Sequence, residues 1–165
     1  MILLLAGENT FEQERAVQEI VRGFDGAPEK IDGADVTAAM LTDLLAGATL
    51  FADKRLVVIK GLSENTAGWT ALGDFLPRIS DDVTLVLIES KPDKRTKTYK
   101  TLQKQADVRE FAPWGERDEP RAEQWVLQEA ADLGFTLDKP LARLLVARVG
   151  VDQWQLYRAL EKLSV

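Results

Sequence analysis

The feature that most constrains the fold is a set of short apolar runs separated by stretches of helical periodicity. Residues 2–6 read "ILLLA" and stop at Gly7; "RLVVIK" occupies 55–60 and "VTLVLIE" 83–89. Unbroken apolar runs of this length suit strands buried on both faces, the kind found in helix-covered parallel sheets. Between them, "NTFEQERAVQEIVRGF" repeats Phe11, Val17, Ile20, Val21 and Phe24 at helical spacing, with Asn9 or Thr10 available as cap. A short strand is expected at 29–33. Residues 35–47 predict a helix, with Asp35 as its cap and Gly47 as its stop. "GLSENTAG" reads as a loop, 69–79 as a helix weakened by Gly73 and Pro77, 91–105 as a basic helix entered after Pro92, and 107–111 as a last strand. Strands alternating with helices predict an α/β domain built on a parallel sheet.

The pattern changes after Phe111. "APWGERDEP" (112–120) is a linker with two prolines and a glycine. Three helices follow, at about 120–133, 138–149 and 152–163. Their apolar stripes are Ala122, Val126, Ala130 and Leu133; Leu141, Leu144, Leu145 and Val149; and Leu156, Leu160 and Leu163. Two domains are therefore expected, at 1–113 and 119–165. The second is marginal in size for independent stability. The chain stops at "LEKLSV" with no stop signal, which suggests a fragment.

The composition excludes several kinds of chemistry. There is no Cys and no His among the 165 residues. Disulfides, thiolate metal sites, Cys nucleophiles, Ser-His-Asp triads and most zinc centres are ruled out. No catalytic, cofactor-binding or metal-binding residue is singled out. A net charge of −6 argues against general nucleic-acid coating but permits a local basic patch. "MILLLA" is too short for a signal segment, and no stretch approaches the roughly 20 apolar residues of a membrane span. The expectation is a soluble cytoplasmic protein with no membrane partner.

A strand, a Gly, a loop and a helix at the N-terminus is also the layout of a P-loop NTPase. That site needs G-x-x-x-x-G-K-[ST], whose backbone N–H groups face phosphate while Lys neutralises charge and the hydroxyl holds magnesium. Gly7 fits the first position. Glu12 then stands for the second Gly, Gln13 for the Lys and Glu14 for the Ser/Thr. The strands that could supply an acidic pair end instead in Lys60-Gly61 and in Glu89-Ser90, a lone carboxylate. The expectation is a P-loop-type sheet with a degenerate nucleotide site and no hydrolysis. A nucleotide-dependent enzyme on the same fold is the alternative, as is a DNA-binding module.

Leu50 and Phe51 lie side by side in "AGATLFADKRLVVIKG". Large apolar residues are usually buried, which makes the pair a candidate for the core. Adjacent residues of a strand point to opposite faces, which would leave one of them exposed at the strand mouth. On the residues alone the pair is either the first rung of the core or an apolar tip held out for a partner.

"TLFADKRLVVIK" resembles the segment that marks the delta subunit of the bacterial DNA polymerase III clamp loader. "LLLAGENTFEQE", "SKPDKRTKTYK" (90–100) and "GVDQWQLYRALEKL" (150–163) extend the resemblance, in order, over the whole chain. It implies an AAA+-like module with no working nucleotide site, followed by a small three-helix lid; a collar domain would come next. It implies a replication protein without intrinsic activity, a subunit of the DNA-directed DNA polymerase III holoenzyme, itself a nucleotidyltransferase. The partners implied are the sliding clamp (the beta subunit), the gamma/tau and delta prime subunits, and primed DNA. The implied work is to grip the clamp and hold its ring open, with Leu50 and Phe51 as a hydrophobic wedge presented by helix 35–46 and the 47–54 loop. One departure stands out: Ala46, Gly47, Ala48 and Thr49 occupy the positions where clamp-binding motifs often carry a Gln or a further apolar anchor.

Residues 91–104 hold six basic side chains against one acid, Asp93. Lys94, Lys97, Lys100 and Lys104 fall on one expected helical stripe. Such a run is ordinarily a solvated face; the alternative is contact with DNA phosphates or a neighbouring subunit. Trp69, Trp114, Trp125 and Trp154 are expected in packing.

Overall fold

The computed structural model describes residues 1–47, 49–51 and 53–165. It divides into two compact units, Met1–Ala112 and Pro113–Val165. The first carries five strands, β1 (Ile2–Ala6), β2 (Glu29–Asp32), β3 (Arg55–Lys60), β4 (Val83–Glu89) and β5 (Asp107–Glu110). They form one sheet in the order β2-β3-β4-β1-β5. Every pairing is parallel, with Leu4 level with Leu87 and Val57 level with Leu85.

Alternation along the strands sorts the core into two layers. Leu4, Ala6, Val57, Ile59, Leu85 and Leu87 face one side. There they meet α2 (Ala38–Leu44), α3 (Thr66–Phe75) and α4 (Lys97–Gln105) through Leu41, Leu44, Trp69, Leu72, Tyr99 and Leu102. Leu3, Leu5, Leu56, Val58 and Val86 face the other side and meet α1 (Thr10–Arg22) through Ala16 and Val17. The apolar runs of β1, β3 and β4 are unbroken because these three strands are buried on both faces, whereas the outer strands β2 and β5 are largely exposed.

Several expected helix ends move, each for a local reason. Thr37, not Asp35, caps α2, its hydroxyl accepting from Met40 N at 3.2 Å. Asp35 sits in a 3-10 turn, Gly33–Asp35, and Val36 is extended. α3 starts a turn earlier than Trp69 because Asn65 caps it, accepting from Gly68 N at 3.1 Å. Gly73 serves packing: a Cβ there would collide with the Thr98 side chain of α4. Pro77 lies in a 3-10 turn, Leu76–Arg78, that ends the helix. α4 starts only at Lys97, because the Thr96 hydroxyl accepts from Tyr99 N at 3.2 Å as its cap. Lys91, Lys94 and Arg95 therefore precede the helix, and the expected four-lysine helical stripe does not form.

The second unit holds α5 (Glu119–Asp132), α6 (Lys139–Val149) and α7 (Gln153–Leu163). Asp138 and Asp152 cap the last two. Ala122, Val126, Ala130, Ala142, Val146, Leu156 and Leu160 form its core. Leu141 and Leu144, expected on the buried stripe of α6, are half exposed, because Ala142 and Val146 take the inward face. No helix among the described residues is long and apolar enough to cross a membrane.

Candidate functional site

Two places deserve a chemical reading: the loop after β1, where a nucleotide would sit, and the segment between α2 and β3.

The first is closed. Asn9 caps α1 and the helix starts at Thr10, so Phe11 to Glu14 are helical rather than part of a phosphate-cradling loop. Most of the backbone N–H groups are already engaged. Gly7 N donates to Glu89 O (2.9 Å), Asn9 N to Phe111 O (3.1 Å), Thr10 N to Glu8 O (3.0 Å), and Gln13 N to Asn9 O (3.1 Å). Glu12 N donates to Asn9 Oδ1 at 3.1 Å. Gly7 adopts φ +130, and a Cβ there would strike the Phe111 carbonyl, so the end of β5 lies directly over the loop. Gln13 completes the closure. Its side chain is 4% exposed, and Nε2 donates to Leu5 O (3.1 Å), Gly7 O (3.0 Å) and Glu89 O (3.2 Å). Where a P-loop Lys would reach outward to phosphate, this amide turns inward and ties β1 to β4. Most of the donors are spent and the helix start carries Glu12, Gln13 and Glu14 in place of a Gly, a Lys and a hydroxyl, so these residues do not fit a nucleotide phosphate.

Glu89, the lone carboxylate that closes β4, is held inside the fold. It is 1% exposed at the end of β4. Oε1 accepts from Leu62 N at 2.9 Å, and Oε2 accepts from Ser63 N at 3.0 Å and from the Ser63 hydroxyl. Burial pushes its pKa above the ordinary carboxylate value, against the opposing pull of the Ser63 and Leu62 donors. The turn it holds continues to Asn65, whose Nδ2 donates to Gly33 O (3.0 Å) and Val36 O (2.9 Å). A chain of hydrogen bonds thus runs from the sheet to the segment leading into α2. Sequence spacing gave no sign of it.

The second place ends in a bare apolar tip. Leu50 is 97% exposed and Phe51 96%. The pair is not the first rung of the core, which starts at Arg55 and Leu56. Phe51 N donates to Thr49 Oγ1 at 3.3 Å. Ala48 and Ala52, part of the same expected presenting loop, lie outside the described residues. The foot of the segment is firmly built. Gly47 has φ +98, and a Cβ would collide with the Ser80 side chain. Ser80 N donates to Leu45 O (3.3 Å), and Arg55 N to Asp82 O (2.9 Å). The turn before β4 therefore holds both ends of the loop.

A matching sequence profile covers residues 3–112, and its description is DNA polymerase III, delta subunit. The chain belongs to this family. In three dimensions the Bacillus subtilis DNA clamp loader delta protein (YqeN) is similar, with a TM-score of 0.71 at 18% identity over 99% of this chain and 52% of that one. Two RuvB mutants of Thermotoga maritima share the fold. One has a TM-score of 0.61 at 14% identity, over 98% of this chain and 53% of its own. The other has 0.63 at 11%, over 98% and 54%. The chain spans about half the length of these solved structures. No curated protein sequence matches it.

Of the basic residues of this delta-family member, Lys97, Lys100 and Lys104 share α4, whereas Lys91, Lys94 and Arg95 precede it. Lys91 pairs with Glu8 (3.2 Å), Lys94 with Glu110 (2.9 Å), Lys97 with Asp74 (3.3 Å) and Arg95 with Asp93 (3.0 Å). Arg95 holds the Asp93 carboxyl down at about 2, and Glu110 raises Lys94. These pairs are exposed and individually weak. Among the described residues, Lys100 and Lys104 form no ion pair.

Proposed function

We propose that the chain binds a bacterial sliding clamp through Leu50 and Phe51 and helps hold the ring open while it is loaded onto primed DNA. The observation that carries this reading is the near-complete exposure of two adjacent large apolar side chains on a loop with a fixed foot. Scattered exposed apolar residues are ordinary, but a Leu-Phe pair with its whole surface in water has most to gain from a partner's pocket. Burying each is worth roughly 1.5–3 kcal/mol, and two such anchors can dominate a small interface. Membership of the delta family supplies the clamp as the partner and other clamp-loader subunits as neighbours.

The role is mechanical rather than catalytic, with no cofactor, and belongs to the cytoplasm, where replication occurs. The first unit acts as the clamp-binding domain and the second as the lid. Lys100 and Lys104, joined by Lys94 and Lys97 once their surface pairs exchange, contact DNA phosphates or a neighbouring subunit in the assembled loader.

Titration of the chain against its sliding clamp tests the proposal. The Leu50→Ala/Phe51→Ala double variant is expected to lose at least about thirtyfold in affinity, the ratio that corresponds to a hot spot of about 2 kcal/mol. Equal binding by the wild type and a correctly folded double variant would falsify the assignment.

A further inference from the structure

We infer that Arg55 is a positioning residue for the Leu50–Phe51 loop: its guanidinium closes the mouth of the loop and aims the tip. The inference rests on the docking role proposed above.

Arg55 follows the loop directly, as the first residue of β3, and is 8% exposed. Nε donates to Glu29 Oε1 at 2.9 Å and a terminal nitrogen to Glu29 Oε2 at 2.6 Å. The other terminal nitrogen donates to Asp43 O at 2.7 Å. Asp43 is the penultimate residue of α2, so the side chain that ends the loop reaches back to the helix that begins it. A helix leaves its last carbonyls without intrahelical partners and places partial negative charge there. The guanidinium answers both, while Glu29 at the head of β2 fixes the fork in its plane. Together with Ser80 and Asp82, this closes the foot on every side while the tip stays bare.

The chemistry demands Arg. A bidentate pair and a third bond in another direction need a planar fork with several donors; an ammonium at this distance serves one partner well and loses the other. In sequence Arg55 is only the first residue of the strand run "RLVVIK". In the structure it is a staple. Holding an apolar tip ready in one place lowers the ordering cost of docking.

The test is Arg55→Lys in the full chain, with amide hydrogen exchange and clamp titration measured in parallel. Glu29→Gln serves as a second variant at a more exposed residue. In Arg55→Lys, exchange of the Ser80 amide and of the amide at position 55, the two hydrogen-bonded amides at the foot of the loop, is expected to quicken by about tenfold or more while the β1 and β4 amides keep their protection. Clamp affinity is expected to fall by about tenfold, with a smaller change in the same direction for Glu29→Gln. Unchanged exchange at these two amides overturns the inference. Exchange that quickens equally in β1 and β4 in both variants overturns it too, because Arg55 then serves the whole sheet. A loosened loop with unaltered clamp affinity also overturns it, unless the Leu50→Ala/Phe51→Ala variant binds normally as well. In that case the docking role itself has failed, and the exchange data alone decide whether Arg55 holds the loop.

Discussion

Leu50 and Phe51 show how little a residue's neighbours in sequence say about its burial. Both residues abut a buried strand, yet neither contributes to the core. Replacing both with Ala should therefore change unfolding free energy by less than about 1 kcal/mol, as for surface positions. Two buried side chains of this size would cost roughly 5 kcal/mol or more. Urea denaturation of the double variant checks this, and a large loss would sink the docking assignment, since weaker clamp binding would then report unfolding. The sequence left the burial of this pair open because burial depends on where the loop travels, and nothing local records that. Gln13 was half legible. Its place in the failed phosphate motif marked it as the wrong residue for a nucleotide. That its amide would instead join carbonyls of β1, of Gly7 just after it and of β4 depends on β4 lying next to β1, a long-range fact.

At the scale of elements, the strands were the most legible feature, because burial on both faces writes itself as an apolar run. Helix starts were less so. Asp35 and Thr37 are both acceptable caps, and the choice fell to Thr37 because Asn65, far along the chain, holds Val36 extended. The basic run looked like one helical stripe until Thr96 capped α4 and left Lys94 outside. On α4 the stripe keeps Lys97, which pairs with Asp74, and Lys100 and Lys104, which are unpaired among the described residues. Joint replacement of Lys100 and Lys104 by Glu should leave clamp binding intact but weaken DNA-dependent loading in the assembled complex, with the wild-type advantage shrinking as salt rises. Normal loading at every salt concentration would make them a solvated face. Glu89 supplies a pH prediction for the joint between β4 and the turn before α3. Its pKa is raised in the folded state, so the fold binds the proton more tightly than the unfolded chain does. This contribution is fully present below the ordinary value of 4.5 and is lost as pH rises through the raised value. Glu89→Gln should abolish that slope. It should also cost about 1–3 kcal/mol near neutrality, because an amide NH2 would face one of the backbone N–H groups that the carboxylate now accepts. Urea midpoints of the two proteins, followed upward from pH 4.5, decide it; parallel profiles would show that Glu89 does not titrate in the fold.

The whole molecule is two units with separate cores, and their sizes predict different stabilities. Met1–Ala112 buries two apolar layers on a five-stranded sheet, whereas Pro113–Val165 has one small cluster, three of whose seven buried residues are alanines, and leaves Leu141, Leu144 and Leu163 about half exposed. A unit of that length buries a smaller fraction of its surface on folding and is correspondingly marginal. Only Trp69 belongs to the first unit; Trp114, Trp125 and Trp154 all lie in the second. Trp114 and Trp125 meet edge to face at 5.8 Å, so their emission depends on the packing of the second unit. Tryptophan fluorescence should therefore follow the second unit, while far-ultraviolet circular dichroism follows both. In a urea titration the fluorescence midpoint is expected at lower denaturant than the main dichroism transition, departing from two-state behaviour. A Trp69→Phe variant, which removes the first unit's only indole, should leave the fluorescence midpoint in place. Coincident curves for both probes would mean that the units unfold as one, and the smaller would then draw its stability from the larger rather than from its own core.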